Sequence, residues 1–103
     1  MSKIKNMGFF QKLFGQGNKE TLKDLLSKGA LLIDVRSKEE FNAGHAPKAI
    51  NIPLQLLVQS RDTLKGKTVI TVCKSGARSA MAVTMLQKEG VNAFNGGAWN
   101  NWQ

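Results

Sequence analysis

The side chains with the greatest chemical potential in this sequence fall in one stretch: Cys73, Lys74, Ser75, Gly76, Ala77, Arg78 and Ser79. Cys73 is the only cysteine; it follows the apolar run 69–72 and precedes a helix-like segment at 79–88. A buried strand that ends in a cysteine, turns at a glycine and enters a helix aims loop N–H groups and the positive end of the helix dipole at the sulfur. Lys74 and Arg78 place two cations beside it. Because the thiolate rather than the thiol is the nucleophile, this setting predicts a depressed pKa at Cys73. The plainer reading is a small buried hydrophobe at a strand end. The glycine and the two cations weigh against it.

Other elements must hold this loop. At 103 residues the chain is one domain that buries about 60–70% of its unfolded surface without cross-links. A single cysteine excludes an internal disulfide, and one cysteine with one histidine is too few ligands for a structural zinc site. No metal or cofactor is expected. The odd cysteine fits a reducing compartment, and no apolar run approaches the ~18 residues of a membrane span. The opening apolar run 7–10 is too short for a signal peptide. A cytoplasmic monomer is therefore expected. The net charge of +8 comes from fifteen basic residues spread along the chain, without aromatic interleaving. That argues against nucleic acid and for anionic small molecules or acidic protein partners.

Residues 1–18 form a separate basic and apolar segment. At ~100° per residue, Met7, Phe10, Leu13 and Phe14 share one side of a helix, with Lys5 and Lys12 away from it. Packing on the domain's own core, or fraying, is preferred to membrane contact through residues 4–14, because the apolar area is small and Gly8 costs about 1 kcal/mol. Residues 19–103 form the domain proper. Asn18 or Thr21 can cap a helix bearing Leu22, Leu25 and Leu26, which Gly29 stops. The apolar run 30–33 then reads as a strand buried on both faces of a parallel sheet, ending at Asp34-Val35-Arg36.

Ser37 and Glu40 have capping-box spacing, and Glu40 lies four residues from Arg36. A short strand at 49–53, a helix over 54–64, the strand ending at Cys73, the helix 79–88 and a last strand at 91–94 follow. Asn95-Gly96-Gly97 reads as a turn into Trp99 and Trp102. Alternating strands and helices predict an α/β fold, a parallel sheet with helices on both faces. Pairing of 31–35 with 69–73 brings Asp34 and Arg36 to the same sheet edge as the cysteine loop, where ligands collect in open α/β sheets. They read as supports, since an unpaired Asp raises a nearby thiol's pKa. His45, the only histidine, reads as a hydrogen-bonded structural residue beside a glycine turn, with general base as the alternative.

Together these residues resemble the rhodanese family. The resemblance rests on Asp34-Val35-Arg36 with Glu40-Phe41, Gly44-His45 with Ala49, Asn51, Ile52 and Pro53, Cys73-Lys74 with Gly76, Arg78 and Ser79, and Gly96-Gly97 near a Trp. Ala46-Pro47-Lys48 stands where the family commonly has Ile-x-Gly. The resemblance implies a five-stranded parallel sheet and transfer of sulfane sulfur through a Cys73 persulfide. Thiosulfate would be such a donor, and cyanide, a thiol or a protein the acceptor, with Lys74 through Ser79 binding the anion. The alternatives are a persulfide carrier or interaction module without turnover and, less favoured, a cysteine phosphatase or arsenate reductase. Phosphatases of this fold place one residue more between Cys and Arg than the four found here.

Overall fold

A computed structural model of the chain describes residues 18–103; the expected helix and its core or membrane contact at 1–17 lie outside the described residues. Asn18 caps α1 (Lys19–Ser27), its side chain accepting the Thr21 N–H at 2.8 Å. Gly29, at φ +106°, ends that turn, a conformation that glycine adopts without strain. Then come β1 (Leu31–Asp34), α2 (Lys38–Asn42) and β2 (Ile50–Asn51). They are followed by α3 (Arg61–Leu64), β3 (Thr68–Cys73), α4 (Ala77–Lys88) and β4 (Asn92–Ala98). A 3₁₀ turn, Trp99–Trp102, closes the chain.

The sheet is parallel throughout, in the order β2-β1-β3-β4. It has four strands among the described residues, not the five that the resemblance implied. β2 is only two residues long, although beyond it the Ile52 and Leu54 N–H groups still donate to Asp34 O and Val35 O at 3.0 Å each. The expected helix over 54–64 is also broken up, into 3₁₀ turns Leu54–Leu56 and Val58–Ser60 followed by α3. Bonds from Leu57 N–H to Leu54 O and from Ser60 N–H to Leu57 O bring residues three apart onto one line. Leu54 and Leu57 thereby both reach the core.

Each face of the sheet carries its own apolar cluster. Ile33, Val35, Val69 and Cys73 pack with Leu57, Leu64 and the α4 residues Ala82, Val83 and Leu86 on one side. Leu32, Ile70 and Val72 pack with Leu22, Ala46 and the two tryptophans on the other. Burial on both sides explains why β1 and β3 are continuously apolar rather than alternating. β4 runs further than the pattern at 91–94 predicts. Thr71 faces Asn95, yet Cys73 faces Ala98, so one extra residue is absorbed as a bulge with Gly97 at φ +79°. The supposed turn at 95–97 is thus part of the strand. No described helix is long and apolar enough to cross a membrane.

Candidate active site

β3 ends at Cys73, whose side chain points to the α4 side of the sheet. α4 begins behind Gly76, which takes φ +104° and offers no side chain to cap the helix. The first-turn N–H groups of a helix lack partners within it. Cys73 Sγ fills that role, accepting the N–H of Gly76 at 3.0 Å and of Ser79 at 3.4 Å. Ser79 Oγ lies 3.6 Å from the same sulfur, and the Thr71 hydroxyl donates to Ser79 O at 2.9 Å. Lys74, Ser75 and Ala77 form the exposed rim of the loop.

Burial pushes the Cys73 thiol up. The Ser79 N–H, the Ser79 hydroxyl and the N–H groups of Gly76 and Ser75 more than offset this and hold its pKa below the ordinary 9.0. Hydrogen bonds to the charged form favour ionisation. The expected direction is present, but its main cause is not the two cations. Arg78 gives Nη1 and Nη2 to Glu40 at 2.8 and 3.0 Å. Glu40 also closes the capping box of α2, each of Ser37 and Glu40 accepting the other's N–H. The Arg78 hydrogen bond, followed by the Ser37 N–H, lowers Glu40 from 4.5 to about 2. Arg78 is in turn raised, first by Glu40 and more weakly by the charges of Cys73 and Asp34. Its field therefore reaches the sulfur while its donors are occupied. The spacing of Glu40 from Arg36 predicted a different pair.

Asp34 and Arg36 reach the same edge of the sheet, and Asp34 pairs in register with Val72, as the pairing of 31–35 with 69–73 predicts. Successive side chains point to opposite faces, so Asp34 belongs with Leu32 and the tryptophan side. Its carboxylate accepts the Arg36 N–H at 3.0 Å, Nε at 2.9 Å and Nη2 at 2.8 Å. Nη2 also donates to Gly44 O at 2.8 Å, and the guanidinium lies 4.5 Å from the Trp99 ring centroid. Asn51 ties the carbonyls of Asp34 and Arg36 together at 3.0 Å each. His45 stacks on Phe41 at 3.8 Å, with Nδ1 2.8 Å from Phe41 O; neither contact reaches the Cys73 loop.

Two residues emerge that the sequence reading placed elsewhere. Glu40 looked like a cap and a partner of Arg36, because its tie to Arg78 spans 38 positions. Asn95 looked like a turn residue, yet Ser79 Oγ lies 2.6 Å from its Oδ1. The Asn-Gly-Gly run concealed it, since that composition signals a turn.

The site is thus a single cysteine at the carboxyl end of a central parallel strand of an α/β domain, with loop and helix N–H groups converging on its sulfur. The profile described as "Rhodanese-like domain" matches residues 18–103. The chain belongs to that family and has its α/β fold. It is 35% identical over 74 residues to a tRNA sulfurtransferase of Thermoplasma acidophilum, covering 72% of this chain and 15% of that protein. It is 32% identical over 65 residues to a sulfurtransferase of Allochromatium vinosum, covering 62% of this chain and 61% of that one. The chain thus spans less than two thirds of either relative. The solved human single-domain sulfurtransferase TSTD1 superposes with a TM-score of 0.73 at 29% identity, covering 85% of this chain and 94% of that one. A rhodanese-like domain protein from Staphylococcus aureus gives 0.70 at 30% identity, covering 82% and 85%.

Proposed function

We propose that this protein moves sulfane sulfur from a small anionic donor such as thiosulfate to a thiol, a protein or, in the test tube, cyanide, through a persulfide on Cys73. The observation that carries the reading is the set of N–H donors on Cys73 Sγ within a loop of four residues between Cys73 and Arg78. The Cys73 thiolate attacks the outer sulfur of thiosulfate; the Cys73–S bond forms, the S–S bond of thiosulfate breaks, and sulfite leaves with the electron pair. The loop N–H groups hold the persulfide anion, and no proton shuttle is required. Attack by cyanide on the outer persulfide sulfur then forms thiocyanate and returns the thiolate. The exposed Lys74 draws the anionic donor toward the loop rim.

Phosphate chemistry is less well supported. The loop between Cys73 and Arg78 is one residue shorter than in the phosphatases of this fold, and both terminal nitrogens of Arg78 are held by Glu40. The test is incubation with thiosulfate and cyanide, with thiocyanate and the mass of Cys73 as readouts. Wild type is expected to form thiocyanate with ping-pong kinetics, and Cys73→Ser none. A mass gain of one sulfur without thiocyanate would make the protein a carrier. Absence of both thiocyanate and the added sulfur would overturn the proposal.

A further inference from the structure

The Asn95 amide on β4 is committed at both ends. Its Oδ1 accepts the Gly97 N–H at 2.8 Å, and an N–H can face only the oxygen of the amide, which fixes the orientation of the group. Ser79 Oγ sits 2.6 Å from the same Oδ1. That oxygen carries no proton, so the Ser79 hydroxyl must donate to it. The hydroxyl has one proton to give. Its other neighbours are Gly76 O at 3.0 Å and Cys73 Sγ at 3.6 Å. Gly76 O already receives the Ala80 N–H at 3.0 Å and Asn95 Nδ2 at 3.3 Å. With its proton on Asn95, Ser79 turns lone pairs toward the sulfur and accepts the S–H of the thiol. It can donate to the thiolate only by leaving Asn95.

We propose that Asn95 is a positioning residue for Cys73 that acts through Ser79: its amide holds the Ser79 hydroxyl proton away from the sulfur and thereby limits how far the loop favours the thiolate. On ionisation the S–H proton passes to solvent, the S–H···O bond is lost, and the hydroxyl proton swings from Asn95 Oδ1 to Sγ. Oδ1 keeps the Gly97 N–H. The lowering that the Ser79 hydroxyl exerts on Cys73 is available only after this swing. Around the sulfur, α4 contributes the charge of Arg78, α2 its partner Glu40 and the loop Lys74, while the Asp34–Arg36 pair at the end of β1 lies on the opposite face of the sheet. β4 contributes no ionisable side chain, so its influence on the sulfur runs through Asn95.

The inference takes Cys73 as the reacting sulfur, but its test does not require sulfur transfer. Cys73 is the only cysteine, so the pH profile of alkylation of the full chain by iodoacetamide reports it alone. Asn95→Leu removes the acceptor while filling its space and is expected to shift the profile to lower pH, speeding alkylation about three-fold below the midpoint. Asn95→Asp keeps the acceptor, adds negative charge and is expected to shift the profile the other way. In a Ser79→Ala background, Asn95→Leu should no longer change the rate. Thermal melts verify folding, and Asn95→Ala, with the same expected sign, stands in if Asn95→Leu does not fold. Shifts of Leu and Asp in the same direction, or a Leu effect that persists without the Ser79 hydroxyl, would overturn the proposal. Opposite shifts in a chain that transfers no sulfur would refute the sulfurtransferase reading and leave this inference standing.

Discussion

β1 and β3 lie side by side at the centre of the sheet and end at the same edge, yet their ends are finished in opposite ways. At Asp34 the carboxylate is surrounded by the Arg36 donors, Arg36 is also held by Gly44 O and Trp99, and Asn51 ties the carbonyls. Charges and donors there are matched inside the cluster. At Cys73 the donors converge on a titratable sulfur with no cation bonded to it, and the Arg78 guanidinium is occupied by Glu40. A closed network rigidifies, whereas donors aimed at a group that is not yet charged favour the state in which it becomes so. The difference separates scaffold from reactive centre.

The strongest test of that separation is Asp34→Ala. It leaves the buried Arg36 guanidinium without its partner, which costs about 3–5 kcal/mol, or a drop in melting temperature of at least ~12 °C. In the folded fraction the alkylation profile of Cys73 should stay in place. Lost sulfur transfer at an unchanged melting temperature would put Asp34 in the reaction and erase the contrast.

Gly96→Ala strikes β4 at the bulge, where it packs against the strand that ends in Cys73. A Cβ there would meet Ile70 Cγ2 at 2.8 Å, Val72 Cγ1 at 2.9 Å and Thr71 O at 3.0 Å. Overpacking of this kind costs about 1–3 kcal/mol, to be read as a lower urea midpoint. Because Trp102 Nε1 donates to Gly96 O at 2.8 Å, quenched or shifted tryptophan fluorescence should accompany it.

A smaller effect is expected from the Glu40–Arg78 pair. The carboxyl titrates near 2 in the folded chain against an ordinary 4.5, so its stabilisation is complete above pH 4.5 and is lost as the pH falls through 2. The two side chains are 35% and 37% exposed, and solvent screening keeps the gain under about 1 kcal/mol. The stability gap between wild type and Glu40→Gln, followed by urea melts, should be constant at neutral pH and close between those values. A gap that widens in acid would contradict the pairing.

The smallest effect belongs to the turn before β2. Lys48 takes φ +70°, in the left-handed region where a non-glycine residue is strained by roughly 1–2 kcal/mol. This is the position where the family commonly has glycine, so the backbone turn persists despite the substitution. Lys48→Gly relieves that strain but adds unfolded-state entropy of about 0.4–1 kcal/mol. A net gain of about 0.5 kcal/mol and unchanged Cys73 reactivity are expected.

What could be read from the residues in order was whatever depends on short spacings. The Asn18 cap, the Ser37–Glu40 capping box and the Cys73–Ser79 loop involve neighbours within a few positions, where backbone geometry leaves few alternatives. The segment 54–64 misled because apolar residues three and four apart, Leu54 with Leu57 and Val58, suit a helix or a series of 3₁₀ turns equally, and only the core they fill distinguishes them.

By itself, then, the sequence determined an α/β chain with one cysteine poised between a central strand and a helix. The fold decided which polar groups serve the sulfur. In-register pairing with Thr71 puts Asn95 on the sheet face that carries α4, where it reaches Ser79 across 16 positions. The packing of α2 near α4 gives Arg78 to Glu40 instead of leaving it free. Strand alternation sends Asp34 to the opposite face from Cys73. Each outcome depends on the register of segments far apart in the chain, and register is set by the joint burial of both faces of the sheet.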